Sequence, residues 1–258
     1  MEVAAVAVAR TAERELGGKS PSIIFPDADL EAATAAAMQG VWGASGQVCT
    51  CSTRVLVHES VHDEVASMIV ERSRDMRIGG GFDPEAQMGP LVSAEQLERV
   101  ARYVQIGRDE GADLALGGAR HGDRGYFHEP TVFTSVRNDM TIAREEIFGP
   151  VLAVLSYRDE DDALRIANDS PYGLGGYVFG GDRTNARRVV NGLRAGRVSY
   201  NGAATDSYTP MGGYKQSGIG RSMGRFGLEE YLEVKSVYGF EDEAQALPAL
   251  FGEVTPSR

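Results

Sequence analysis

The sequence predicts an α/β domain built on a mostly parallel sheet, and three observations carry that expectation. Short apolar runs of strand type alternate along the chain with segments whose apolar residues recur at helical spacing. Strands that alternate with helices of this length read as crossover units, and crossovers are what parallel neighbours need. Glycine supplies 32 of the 258 residues, enough for many tight turns between short elements.

Each element has its own signal. The first 14 residues read as one amphipathic helix with no strand before it, an isolated piece that must lean on other structure. Asp27 and Asp29 precede LEAATAAAMQGVW and place acidic residues at the positive end of a helix. RVLVH, from Arg54 to His58, reads as a strand, and Ser60 is expected to cap the helix VHDEVASMIVERSRDM. GGGFDPEAQMGP, from Gly79 to Pro90, reads as loop. Ser93 and Gln96 form a capping box ahead of AEQLERVARYVQIGRDEG. LAL, EPTVFTSV and VLAVLSY have strand character. EDDALRIANDS and TNARRVVNGLRAG read as helices, the second expected to stop at Gly196, with GGYVFGG and GRVSYNG extended around it. The segment beyond Phe240 is acidic and broken by proline, which predicts a loose tail.

Charge and composition exclude some functions. A net charge of −11 argues against a nucleic-acid partner and against an anionic membrane surface. No apolar run approaches the roughly 20 residues of a membrane helix. The opening segment lacks the basic start of a signal peptide, and two cysteines make no disulfide framework, so a reducing cytoplasm is expected.

The informative stretch is Gly46-Gln47-Val48-Cys49-Thr50-Cys51, which holds both cysteines. A structural metal needs about four ligands, and the four histidines (58, 62, 121 and 128) show no ligand-like pairing with the thiols, so no metal is expected. A disulfide between positions two apart would be strained. Two readings stay open on the residues alone: a buried apolar pair, and a thiolate nucleophile at Cys49, where Gly43 and Gly46 bend the chain and leave its backbone accessible to a carbonyl substrate. Glu15 stands beside the Gly17-Gly18 turn in ELGGKSP, either as a solvated residue before a helix-ending glycine or as a base. In REEIFGPV, Pro150 precedes a strand and a rigid loop presents Glu146 and Phe148, either a carboxylate suited to a ribose diol with a ring suited to a planar partner, or a loop anchored by a buried Phe with Pro150 fixing the strand start. The glycines of PMGGYKQSGIGRSMGRFGLEEYLEVKSV miss the spacing of a dinucleotide fingerprint.

In this order, ELGGKSP, GQVC, DPEAQMGPLVS, EPTVF, EEIFGPV, SPYGLGGYVF, GRVSYN and PMGGYKQSGIGR resemble segments of the aldehyde dehydrogenase superfamily, and they cover nearly everything from Glu15 to Val237. The resemblance implies NAD(P)-dependent oxidation of an aldehyde to a carboxylic acid, with Cys49 as nucleophile and Glu15 as the base that activates water. It implies that Glu146 and Phe148 hold the nicotinamide ribose and ring, that Met211 lines the aldehyde tunnel, and that Cys51 is a neighbour with no required role. Family members are close to twice as long. The resemblance therefore makes residues 1–18 a remnant of a Rossmann-like dinucleotide-binding domain, residues 19–210 the catalytic domain, residues 211–240 a return segment with an oligomerisation strand near VKSV, and residues 241–258 a tail. With the rest of the nucleotide domain go cofactor contacts, so impaired turnover is expected. A homo-oligomer is implied, and the alternative is a non-catalytic interaction module that keeps the fold. Arg14, Ala44-Ser45 and Ser222 depart from the family pattern.

Overall fold

A computed structural model describes residues 16–238. The expected N-terminal helix, Glu15 and the tail from residue 241 lie outside the described residues. Seven strands form one sheet: β1 (Pro21–Ile24), β2 (Arg54–His58), β3 (Asp113–Leu116), β4 (Thr131–Thr134), β5 (Val151–Tyr157), β6 (Gly175–Phe179) and β7 (Arg197–Tyr200). Their order across the sheet is β3-β4-β5-β2-β1-β6-β7. Every neighbouring pair is parallel except β3 with β4 at one edge, as the α/β expectation requires of a mostly parallel sheet.

Helices cover both faces, which is why the central strands are apolar at successive positions rather than alternating. Alternate side chains of each strand feed two separate cores. Ile23, Leu56, Ala153 and Leu155 point to one, where α3 (Ala94–Asp109), α5 (Glu160–Asn168) and α6 (Arg183–Gly192) supply Val100, Val104, Ala163, Ile166, Ala186 and Val189. Ile24, Val55, Val57 and Val154 point to the other, against Ala33, Ala37 and Val41 of α1 (Leu30–Trp42) and Val65 and Ile69 of α2 (His62–Arg74). Two short helices, α4 (Thr141–Arg144) and α7 (Gly224–Glu229), complete the described elements. No described helix is long and apolar enough to cross a membrane.

Acidic and hydroxyl caps start the helices as the sequence predicts. Asp29 accepts from the Ala32 amide at 3.0 Å and Ser93 from the Gln96 amide at 3.2 Å. Three local expectations need correction. Ser60 does not cap α2. Its own amide donates to His58 Nδ1 within a 3-10 turn at Glu59–Val61, so the helix begins one residue late, at His62. The capping box at Ser93 is only half formed, because the Gln96 side chain is used elsewhere. Helix α6 ends at Gly192 and not at Gly196, whose missing side chain serves a close approach to the Gly212 carbonyl. The strand at Pro21–Ile24 and the short α4 carry no periodicity of their own and were not read from sequence.

Candidate active site

Three loops separated by long stretches of chain meet beside the ends of β1, β2 and β5. The first is the Gly17-Gly18 step that leads into β1. The Gly18 amide donates to Glu146 Oε1 at 3.0 Å, across 128 positions of sequence. Gly17 has φ +98°, and a Cβ on it would overlap the Glu146 carboxylate. A Cβ on Gly18 would come within 2.6 Å of the Cys49 carbonyl oxygen. The paired glycines thus let the backbone pass between the carboxylate of one motif and the backbone of another.

The second loop is the cysteine turn. Ser45 at φ +55° and Gly46 at φ +71° are both left-handed, and a side chain on Gly46 would collide with the Gly149 carbonyl. Gln47 fastens this turn: its Oε1 accepts from the Val92 amide at 2.8 Å and its Nε2 donates to the Pro90 carbonyl at 3.3 Å. Ser45 Oγ donates to Gly89 O at 2.9 Å. Tyr177 donates to Thr50 O at 3.0 Å from β6. The two thiols differ in environment, and neither is in a disulfide. Cys49 is half-buried. Cys51 is buried, and burial pushes its thiol up to about 11, out of reach of physiological deprotonation.

The third loop, Glu145 to Pro150, is held by side chains of α3. Gln96 Nε2 donates to the carbonyls of Ile147 at 3.0 Å and Phe148 at 2.8 Å. Arg99 donates to those of Glu146 at 2.7 Å and Ile147 at 3.2 Å. Four donor contacts on three successive carbonyls hold Phe148 at φ +59°, a conformation that a bulky residue keeps only when its surroundings impose it. Tyr103 donates to Glu145 Oε2 at 2.6 Å, and burial with this bond raises its phenol to about 12. Burial raises the Glu146 carboxyl, while the Gly18 amide and Lys19 oppose that shift.

A fourth segment closes the cluster. Ser217, fully buried, donates through Oγ to Gly17 O at 2.7 Å and accepts there from the Gly173 amide at 3.0 Å. The Leu16 amide reaches Ser217 O at 3.2 Å. Met211 lies on this segment, in an antiparallel bridge with Ser222. Among the candidates, Cys49 and Glu146 are brought together around Gly17-Gly18, and Phe148 lies on the same loop as Glu146. Glu15 falls outside the described residues. The roles of Gln47, Gln96, Arg99 and Ser217 were missed from sequence. Gln47 and Ser217 stand inside quoted motifs, which was the available signal; Gln96 looked like a capping residue. Among the described residues no group of three His, Cys, Asp or Glu side chains is placed to hold a metal ion.

The glycine step, the cysteine turn and the Glu-Ile-Phe-Gly-Pro loop carry the motifs that resembled one family, and the profile of the aldehyde dehydrogenase family matches residues 1–237. The chain belongs to that family. It is 48% identical over 231 residues to betaine aldehyde dehydrogenase of Brucella melitensis and 46% identical over 229 residues to that of Bacillus subtilis. Both alignments cover 87% of this chain and 47% of the relative. Crystal structures agree: a betaine aldehyde dehydrogenase of Staphylococcus aureus in complex with NAD+ superposes with TM-score 0.82 at 44% identity, covering 84% of this chain and 44% of that one. An NAD+ complex of an aldehyde dehydrogenase from Bacillus cereus gives TM-score 0.84 at 46% identity, covering 86% and 46%. The chain thus spans about half the length of the relatives it matches.

Proposed function

We propose that this chain carries the thiol chemistry of an NAD(P)-dependent oxidation of an aldehyde to a carboxylic acid. The observation that carries the reading is the convergence at Gly17-Gly18, where the Glu146 carboxylate and the Cys49 backbone flank one glycine step. Cys49 as thiolate adds through Sγ to the aldehyde carbon, and the carbonyl oxygen becomes the oxyanion of a thiohemiacetal. Loss of hydride from that carbon leaves a thioester on Sγ; water, deprotonated by Glu15, then releases the acid and restores the thiol. NAD(P), when bound, supplies the hydride acceptor. Glu146 and Phe148 fit such a group: among the described residues the Glu146 side chain accepts from the Gly18 amide through one oxygen, leaving acceptor capacity for a diol, and Gln96 and Arg99 fix the loop that carries the ring. Met211 would line the aldehyde passage. Cys51, buried and hard to ionise, takes no part.

The relatives' names make betaine aldehyde the first substrate to assay. The test has two parts. Calorimetric titration of the purified chain with NAD+ is expected to show binding that Glu146→Ala abolishes. Ester turnover is expected to disappear in Cys49→Ala, because acyl transfer to a thiol needs no nicotinamide; turnover unchanged by that substitution rejects the nucleophile assignment. A reducing, cytoplasmic setting suits a working thiol.

A second reading is favoured by one observation. Phe226, Leu228, Tyr231, Leu232, Val234, Val237 and Tyr238 are all exposed along one stretch, and Glu233 to Tyr238 has no regular secondary structure within the chain. This segment is the expected return and oligomerisation strand, and its occupant is proposed to be a second copy of the chain. Light scattering that gives a monomer at micromolar concentration argues against it. A stable oligomer without NAD+ binding favours a non-catalytic module.

A further inference from the structure

Lys19 follows the glycine step and is almost fully buried, 2% exposed, on the side of β1 that faces the end of α5. It lines a cavity of about 10 Å³ together with Arg54, Asn168, Tyr172, Leu193 and Arg194. No carboxylate lines this cavity. Arg54, which is fully buried, spends its terminal nitrogens on the end of α5, donating to Ile166 O at 3.1 Å and Ala167 O at 2.8 Å, where a helix presents its negative pole. Its Nε has no hydrogen-bond partner among the described residues, and neither has Lys19 Nζ. Buried polar groups almost always have partners, so two buried donors without acceptors beside one cavity indicate a missing acceptor.

We propose that this cavity is a binding site for one monatomic monovalent anion of halide size, held by Lys19 Nζ and Arg54 Nε. The enclosed space takes about one water-sized particle, which favours a monatomic ion over a phosphate. Charge decides between an anion and a water molecule. Three groups on this cavity lack partners among the described residues, Lys19 Nζ, Arg54 Nε and the Ser20 hydroxyl; the first two belong to basic side chains, and a buried charge is costly without a counter-charge. Asp169 attracts Arg54 while Arg144 repels it, and Glu146 and Glu145 attract Lys19 from outside the cavity lining. For Lys19 each attraction is smaller than burial and smaller than the repulsion from Arg54, and burial with that repulsion brings the ammonium down to about 7. A halide supplies acceptor and charge at once, whereas water supplies only the acceptor. Lys19 directly follows the glycine step and is coupled to Glu146, but the anion site does not depend on the proposed thiol chemistry.

The chain contains three lysines, Lys19, Lys215 and Lys235, which makes a direct test practical. Crystals of the full chain grown in sodium bromide are expected to show an anomalous peak in contact with Lys19 Nζ and Arg54 Nε. In solution, protein labelled with 13C-lysine is titrated in gluconate and then in chloride at one ionic strength. Chloride is expected to tighten proton binding at Lys19 by about tenfold or more, with Lys235 as the internal control. A cavity without bromide, or a Lys19 titration indifferent to chloride, overturns the proposal and assigns the site to water.

Discussion

Replacing Ser217 by alanine tests whether the return segment locks the glycine step in place. The hydroxyl is fully buried and makes two bonds at once, donating to Gly17 O at 2.7 Å and accepting from Gly173 N at 3.0 Å. Alanine removes a single oxygen and leaves a buried carbonyl and a buried amide without partners. Each orphaned group costs about 1–3 kcal/mol, and partial relaxation around the site brings the expected total to about 3 kcal/mol. A domain of this size loses roughly 2–4 °C of melting temperature per kcal/mol, so the midpoint should fall by about 6–12 °C. Urea unfolding followed by the fluorescence of Trp42, the chain's single tryptophan, measures the same quantity independently. Ser199→Ala is the control, because that hydroxyl bonds Ala203 O at an exposed site, and it should change stability by no more than about 0.5 kcal/mol. A loss below about 1 kcal/mol for Ser217→Ala would refute the reasoning, since it would mean that the two backbone groups find other partners.

Three further outcomes are expected. Gly46→Ala should destabilise the chain by at least about 2 kcal/mol in a melting experiment, because the new Cβ meets the Gly149 backbone and the site's φ of +71° disfavours any side chain. Iodoacetamide at pH 8 followed by peptide mass spectrometry should label Cys49 in the native state and spare Cys51, whose thiolate fraction at a pKa of about 11 is on the order of a thousandth; equal labelling would contradict the burial argument. In chloride-free buffer, stability should rise with pH from about 7 to 9. The unfolded chain binds a proton at Lys19 across that range and the folded chain, with the ammonium lowered to about 7, does not. Above pH 9 the trend should flatten or reverse, because the folded state holds the Cys51 proton up to about 11 after the unfolded state has released it. Denaturant midpoints measured across pH 6 to 10 check both limbs.

How much was legible varies by residue. The strands at Arg54–His58 and Val151–Tyr157 and the helix caps at Asp29 and Ser93 were readable because their signals lie within a few positions of sequence. The cysteine turn and the Glu146 loop were readable as unusual local chemistry, and the order of the motifs pointed to their family. Gln96 was misread for an instructive reason: its spacing from Ser93 satisfies a capping box, yet its amide is taken by the carbonyls of Ile147 and Phe148, about fifty positions away. Gly196 was taken for a helix stop, whereas what it serves is the approach of Gly212. By itself, then, the sequence determined the alternation of strands and helices and marked Cys49 and Glu146 as the candidate thiol and carboxylate. Those properties follow from backbone sterics and short-range periodicity. Only the tertiary structure decided that Gly18 bonds Glu146, that Ser217 joins Gly17 to Gly173, and that Lys19 and Arg54 share one small cavity. Such contacts depend on the order in which parallel strands assemble, and that order minimises the exposed apolar surface of the whole chain rather than of any one segment.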